Sequence, residues 1–540
     1  MGKLGRQNSP IVKLIKKKMK KFKLAAITIL GLATISYGQS TNSFCLAIGG
    51  SGSESATGIT KTSDNGSILC GYTNSYGAGS YDCYFVKLDS VGQIEWTKTI
   101  GGTAIDKAVS IVQTSDGGYA FTGITQSFGA GGNDVYVGKL TSTGSLVWTK
   151  TIGGASSDYG NSIIETSDGG LAVAGWYGLG GVDYDVYLIK MDALGNIAFS
   201  NTYGGAAEDI AYSIFENIDG SFILSGYSTS FGAGQKDGYI LKVSSIGTLV
   251  WTKTIGGSLN DEAYSIIECS DGGFAFAGVT QSYGAGGNDC YLVKLDAAGN
   301  LSWTKTIGGL NSDYFNSIKQ KSNGNIIASG WYGINAGNYD LYFCDFTNSG
   351  SFVAGKTVGS TGVETGQGLI MTSNDCIIIA GYSDNLGSGL TDMYVVQFDS
   401  VYNICSTCNP SNNVGTQNLG GTTSSGGTSG IGGTIGSGGT IGSGGNLTLI
   451  CQNINVGLQE NKIQNIFSIF PNPTSNLINI YADKNFIGST YQIYDNLGRN
   501  ILSGKMISEN TQINFNNLSS GIYLISIGES MKQNYKVIKE

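Results

Sequence analysis

From Ser43 to about Cys405 short apolar runs alternate with polar, glycine-marked breaks, and the alternation is periodic. An apolar residue followed by glycine, nearly always Gly-Gly, recurs with its first glycine at Gly49, Gly101, Gly153, Gly204, Gly256, Gly308 and Gly359, spaced by 51 or 52 residues. So regular a period means one supersecondary unit repeated seven times. Residues 108–152 show the unit. Ala108 to Thr114 alternates like a strand, Asp116-Gly117-Gly118 makes a turn, and Tyr119 to Thr125 is a second strand. A glycine-rich loop from Gln126 to Asn133 leads to a third strand, Val135 to Leu140. A turn at Ser142 to Gly144 then gives the fourth, Leu146 to Ile152. Asp-Gly and Gly-Gly supply the positive φ that tight hairpins need. Four antiparallel strands in about 50 residues predict a propeller blade.

A solenoid is the competing architecture, and it needs atypical capping repeats at both ends. The strand count decides against it. After the seventh repeat's third strand, Met393 to Phe398, no fourth strand like Trp148-Thr-Lys-Thr-Ile152 follows, whereas Phe44-Cys-Leu-Ala-Ile48 aligns with that strand. The prediction is a seven-bladed β-propeller whose N-terminal strand closes the last blade. In the fourth strands one position reads Phe44, Trp96, Trp148, Phe199, Trp251 and Trp303, with Ala354 departing. A ring in nearly every blade is expected to pack blade against blade, since one ligand does not need so many.

A second regularity lies above the first. Repeats 1 and 4, 2 and 5, and 3 and 6 match best at a separation of 155 residues, so that Trp176-Tyr177-Gly178 recurs as Trp331-Tyr332-Gly333. A three-blade block has been duplicated. The repeats resemble those of bacterial surface propellers and, only weakly, kelch repeats.

The two ends differ from the repeats. Residues 1–38 carry nine Lys/Arg and no acid, with a basic cluster from Lys16 to Lys23 before the apolar run Leu24 to Ile35. That is the plan of a signal peptide, too short in its apolar part to span a bilayer; cleavage is expected before Gln39 and Met19 is a possible true start. Residues 466–540 bring prolines and strand-like runs at Leu477 to Ala482, Thr490 to Asp495, Gln512 to Phe515, Gly521 to Ile527 and Gln533 to Ile538, which predict an immunoglobulin-like β-sandwich. Between these parts, residues 409–447 are rich in Gly, Ser and Thr, with almost nothing to bury. They are expected to form a flexible linker.

The last segment carries Phe470-Pro471-Asn472-Pro473-Thr474, Tyr494 to Gly498-Arg499, Leu518 to Leu524 with Gly521 and Tyr523, and the terminal Lys536-Val-Ile-Lys539-Glu540. In this order it resembles a type A C-terminal sorting domain of type IX secretion substrates. The resemblance implies a route. Such proteins cross the inner membrane by their leader, reach the periplasm, and pass the outer membrane through the type IX machinery. The cargo is then released or attached to surface lipopolysaccharide.

Charge and composition narrow the chemistry. Removing the leader's nine positive charges takes the formal balance from −8 to −17, which repels phosphate backbones, so no nucleic acid is expected as partner. The chain has no histidine, and no arginine between Arg6 and Arg499. That removes histidine general bases, Ser-His-Asp triads and histidine metal sites. It also removes the arginine clamps of sialidase-like propellers, although Thr114 to Gly118 is superficially similar to their Asp-box. Acidic residues remain, in two rings predicted to share one face. Glu54, Asp106, Asp158, Asp209, Asp261, Asp313 and Glu364 follow the Gly-Gly positions; Asp82, Asp134, Asp185, Asp237, Asp289, Asp340 and Asp392 precede the third strands. Each either accepts hydrogen bonds from loop amides, as Asp does in turns, or contributes to a cation site or a paired-carboxylate glycosidase. Asp183 and Asp185 come nearest to a Ca²⁺ spacing; otherwise no cofactor is expected.

Positions that break the sevenfold pattern are better candidates for recognition. Trp176, Tyr177, Trp331 and Tyr332, at the ends of second strands, are placed to stack on sugar rings or on a partner, or else to cover neighbouring loops. Cys83 and Cys290 sit at equivalent third-strand positions of non-adjacent blades and read as small buried hydrophobes. Cys45 and Cys405 both fall at the closing blade, where a disulfide would lock the ring. The expected function is a secreted or cell-surface binding or adhesion module for glycan or protein, without catalysis. The alternatives are a secreted carbohydrate-active enzyme using carboxylates and a structural surface spacer.

Overall fold

The computed structural model describes residues 42–404 apart from 181, 182 and 285, a set of strands between 410 and 454, and 467–539 with gaps at 471–473, 475, 483, 485–486, 496–498 and 528–532. The expected leader, residues 1–38, lies outside them, as does Cys405. The chain divides into two compact units, Met1–Gly457 and Leu458–Glu540.

Each repeat folds into one antiparallel sheet, its strands in chain order. In blade 2 these are Asp106–Gln113, Tyr119–Thr125, Asp134–Leu140 and Leu146–Gly153. The middle two strands are buried throughout, the outer two only in part. Blades stack face to face, so both faces of the middle strands meet protein. This accounts for near-continuous apolar runs where a one-sided sheet would alternate. The first strands of blades 1 to 6 carry a β-bulge, as between Ala108 and Ser110; the extra residue adds local twist where the blades crowd the axis.

The seventh blade is built from Gly368–Met371, Ile377–Ser383, Asp392–Phe398 and the N-terminal strand Asn42–Gly49. Phe44 pairs with Gln397 and Ile48 with Met393, as the strand count requires. Alternate residues of this strand enter two interfaces. Phe44, Leu46 and Ile48 join Leu69 and Val86 of blade 1, and Cys45 joins Leu341 and Phe343 of blade 6. The ring is thus sealed by one strand with side chains in both neighbouring seams.

The fourth-strand aromatics pack across blades. A Cβ on Gly144, in the next blade's last turn, would lie 2.9 Å from the Trp96 ring; Gly195, Gly299 and Gly350 meet Trp148, Trp251 and Trp303 in the same way. These turn glycines also hold positive φ, +76° at Gly144. They are therefore fixed by backbone conformation and by space together.

The structure departs from the expected linker. Within unit 1, Pro410–Ser411, Thr416–Asn418, Thr422–Ser424, Thr428–Ile431, Thr434–Gly436, Thr440–Gly442 and Asn446–Ile454 are strands, each adding a fifth, outermost member to a different blade. The composition argument fails because an edge strand's open N–H and C=O groups reward any backbone that pairs with them, and Gly, Ser and Thr need no core to do so.

Unit 2 is a sandwich. One sheet holds Phe467–Phe470, Leu477–Ala482 and Asn510–Asn514; the other holds Asn500–Lys505, Thr490–Tyr494, Gly521–Ile527 and Gln533–Lys539. Ile478, Ile480, Ile493, Phe515, Ile525 and Val537 fill the space between.

Candidate functional site

The two acidic rings lie on one face, beneath its loops. The residues of the first ring are wholly buried. Each takes a loop amide on a carboxylate oxygen: Gly50 N to Glu54, and Gly102, Gly154, Gly205 and Gly257 N to Asp106, Asp158, Asp209 and Asp261, all at 2.7 Å. Gly309 N reaches Asp313 at 2.8 Å and Ser360 N reaches Glu364 at 2.9 Å. In the second ring Ala78, Ala130, Gly234 and Gly389 donate to Asp82, Asp134, Asp237 and Asp392 at 2.9–3.1 Å. Each repeat's first glycine sits between the rings: a Cβ on Gly101 would lie 2.1 Å from Asp82 Oδ1 and 2.9 Å from Asp106 Oδ2. Outside blades 3 and 6 the carboxylates order the loops and are nearly closed off from solvent.

Blades 3 and 6 break this arrangement. Their second and third strands lengthen into hairpins, Leu171–Gly180 with Asp183–Met191 and Ile326–Asn335 with Asn338–Phe346, replacing the glycine-rich loop. Asp185 and Asp340 therefore lose the loop amides that reach Oδ2 in other blades; separately, the Oδ1 of each, facing the repeat's first glycine, is buried without a hydrogen-bond partner. Burial, with Asp209 and Asp183 nearby, pushes Asp185 up to about 7; burial and Glu364 push Asp340 up to about 6. Asp183 also keeps one buried oxygen without a partner. Among the described residues no group of three or more His, Cys, Asp or Glu is placed to hold a metal ion.

The same hairpins carry the aromatic candidates. Trp176 stacks on Tyr159 at 4.2 Å and 17° and meets Tyr184 edge-on at 4.5 Å. Its duplicate Trp331 stacks on Tyr314 at 4.3 Å and 20° and meets Tyr339 at 4.6 Å. All six rings are half-buried. Tyr177 and Tyr332 do something else. Their hydroxyls cover Gly154 and Gly309, where Ser127 and Ser282 cover Gly102 and Gly257. They close loops rather than offer a free face.

Sequence reasoning missed the rings around the two tryptophans. Tyr159 and Tyr314, and Tyr184 and Tyr339, are also 155 residues apart; reading the duplication at every position that departs from the repeat would have found them. From Trp331 the aromatic contacts continue through Tyr314 to Tyr264 at 6.3 Å, Tyr212 at 5.1 Å and Tyr227 at 5.9 Å. Glu262 lies along this arc, accepting from the Tyr212 hydroxyl at 3.2 Å and pairing with Lys236 at 3.1 Å; Lys236 also lies 3.9 Å over the Tyr227 ring. Burial and the Glu262 charge hold Tyr212 and Tyr264 well above the usual phenol range. The arc borders an axial cavity of about 370 Å³ lined by Asn161, Tyr212, Tyr264, Asn316 and Lys319.

The cysteines are plain by comparison. Cys83 and Cys290 are buried in third strands. Cys45 is a free, buried thiol whose Sγ lies 3.1 Å from the Tyr394 hydroxyl.

In unit 2 the motif residues converge. Asp495, Arg499, Leu518, Gly521 and Tyr523 line one groove of about 310 Å³. Arg499 is held by Asp495 through its side chain at 2.7 Å and its backbone amide at 2.9 Å, and the Tyr523 hydroxyl donates to Ser519 O at 2.7 Å. Lys539 pairs with Gly521 on one side and bridges Thr474 on the other; Lys536 lies on the same strand. Pro471, Asn472, Pro473 and Gly498 lie outside the described residues.

Comparison with known proteins adds the following. The regulatory protein FlaEY of Caulobacter vibrioides is 27% identical over 162 residues, 26% of this chain and 17% of that protein; the match thus spans under a fifth of the relative's length. Sqt1 from Chaetomium thermophilum aligns over 70% of this chain and 90% of its own, with 12% identity and a TM-score of 0.40. PorZ, a bacterial surface component of the type IX secretion system of Porphyromonas gingivalis, aligns over 92% of this chain and 100% of its own, with 8% identity and a TM-score of 0.16. The propeller assignment rests on the strand order above. Residues 468–540 match the family described as the secretion system C-terminal sorting domain, and this match supports secretion to the cell surface or extracellular space.

Proposed function

We propose that the propeller is a non-enzymatic adhesion module that binds glycan at its aromatic rim after export. One observation carries the reading: the side chains that depart from the sevenfold pattern on this face include six half-buried aromatic rings, gathered into two Tyr–Trp–Tyr groups, and an arc of tyrosines with one Lys236–Glu262 pair. Sugar rings present C–H faces that suit aromatic stacking, and their hydroxyls suit a charged pair beside it. A carbohydrate-active enzyme has less support, because the paired carboxylates are buried, most of them under loop amides. A plain spacer has less support, because blades 3 and 6 break the repeat. The sorting domain supports handling by the type IX machinery; attachment to surface lipopolysaccharide belongs to the same proposal, and no cofactor enters it.

The test is a glycan array with the mature protein, repeated with Trp176→Ala and Trp331→Ala. Removing a central stacking ring is expected to weaken binding about tenfold. Glycan binding unchanged in both variants would remove the rim from the proposal, and capture of a protein in place of any glycan would reassign its ligand.

A further inference from the structure

The outermost strands follow a rule. Five hexads of the form Thr-x-x-x-Gly-Gly begin at Thr416, Thr422, Thr428, Thr434 and Thr440, and Asn446 takes the next phase. In register, Thr416 faces Gly308, Thr422 faces Gly256, Thr428 faces Gly204, Thr434 faces Gly153, Thr440 faces Gly101 and Asn446 faces Gly49. These are the first glycines of six successive repeats, in reverse order. Pro410–Ser411 precedes them on the fourth strand of blade 6. The segment therefore visits blades 6, 5, 4, 3, 2 and 1 and finishes on blade 7, one circuit against the direction of the propeller chain. Six residues reach at most about 20 Å, which limits each hexad to the adjoining blade.

Two contacts fix where the circuit starts and ends. Tyr402, with φ +64°, turns the chain leaving blade 7 onto blade 6. There its hydroxyl bonds Asp345 and Lys321 and its carbonyl takes Lys356 Nζ at 2.6 Å. At the other end Asn446–Ile454 pairs with Asn42–Gly49 over eight positions, the longest match of the seven. The N-terminal strand is thereby held between Asp392–Phe398 and Asn446–Ile454.

We infer that Pro410–Ile454 is a blade-counting strap: its six-residue period assigns one strand to each open outer edge, and only a strap of full count reaches the N-terminal strand and locks the ring from the C-terminal side. Capping seven edges also withholds them from a second copy of the chain, the usual hazard of an open sheet edge. The occupant of those edges is this chain's own segment, because six strands in one hexad phase, from Thr416 to Asn446, meet six first glycines in order, and Pro410–Ser411 takes the seventh edge one residue out of that phase.

Amide hydrogen exchange on the leader-free full chain tests the count. Deleting one whole hexad, residues 434–439, shifts the later strands back by one blade. Protection of Asn42–Gly49 is expected to fall about tenfold or more, with blades 1 to 6 keeping theirs. Deleting half a hexad, residues 437–439, leaves Thr440 short of blade 1, and protection is expected to fall on blades 1 and 7 together. Equal protection of Asn42–Gly49 in all three chains would overturn the strap.

Discussion

At the scale of single residues, the turn glycines differ in what a side chain at each would meet. Gly117 and Gly144 both hold positive φ, +80° and +76°, but nothing lies within 4 Å of a Cβ on Gly117, whereas one on Gly144 meets Trp96 at 2.9 Å. Gly117→Ala is expected to cost about 1 kcal/mol from backbone strain alone, and Gly144→Ala about 2–4 kcal/mol, because the inter-blade contact must open as well. Urea unfolding of the two variants checks the difference; equal losses would mean that the Trp96 contact contributes nothing. The sequence made this seam legible, since the fourth-strand aromatics and the turn glycines both recur with the blade period. It did not show that Tyr177 and Tyr332 cover Gly154 and Gly309 while their neighbours Trp176 and Trp331 stack outward. Adjacent residues on a strand point to opposite faces, and which face holds the rim depends on the neighbouring blade.

At the scale of elements, the N-terminal strand has the largest consequence for its length. Phe44, Leu46 and Ile48 are buried, and burying such side chains contributes roughly 1.5–3 kcal/mol each, comparable in sum with the whole stability of many domains. A chain lacking residues 42–49 is expected to lose cooperative thermal unfolding and to regain it when a peptide of residues 42–49 is added. A truncated chain that melts like the full one would refute the closure argument. The closing strand was readable from a count of fourth strands. The strap was not, because low hydrophobicity and glycine content suggest a tether, and its hexad period acquires meaning only beside seven unpaired edges. The long hairpins of blades 3 and 6 were half-legible: the duplication marked Trp176 and Trp331, but not that the glycine loop there is replaced by paired strand.

At the scale of the whole molecule, two classes of carboxylate set opposite pH limits. Burial raises Asp64 and Asp116, but the Lys87 and Lys139 ion pairs with Thr62 and Thr114 hydrogen bonds outweigh it and bring both to about 2; hydrogen bonds from Thr166 and from Lys242 do the same for Asp168 and Asp219. These lowered groups add stability that is present above about pH 4 and is lost as pH falls through about 2. Asp158 and Asp340 at about 6, and Asp185 and Asp313 at about 7, are raised chiefly by burial. Folding takes up their protons, so stability drops as pH rises from about 4 through 7. The thermal midpoint is therefore expected to peak near pH 4–5 and to fall on both sides. A midpoint that rises steadily from pH 4 to 8 would show that the raised group does not operate.

The sequence by itself determined the number of blades, the closure by the N-terminal strand and the presence of a second β region. Each of these rests on local sterics or on a period, and both are written in residue order. Only the tertiary structure decided that the acidic rings are buried, with loop amides on their carboxylates outside blades 3 and 6, that six aromatic rings form two stacked groups, and that a polar segment pairs with seven sheet edges. Those outcomes depend on which backbone and side-chain groups distant strands bring within a few ångströms of one another, and neither composition nor spacing fixes that.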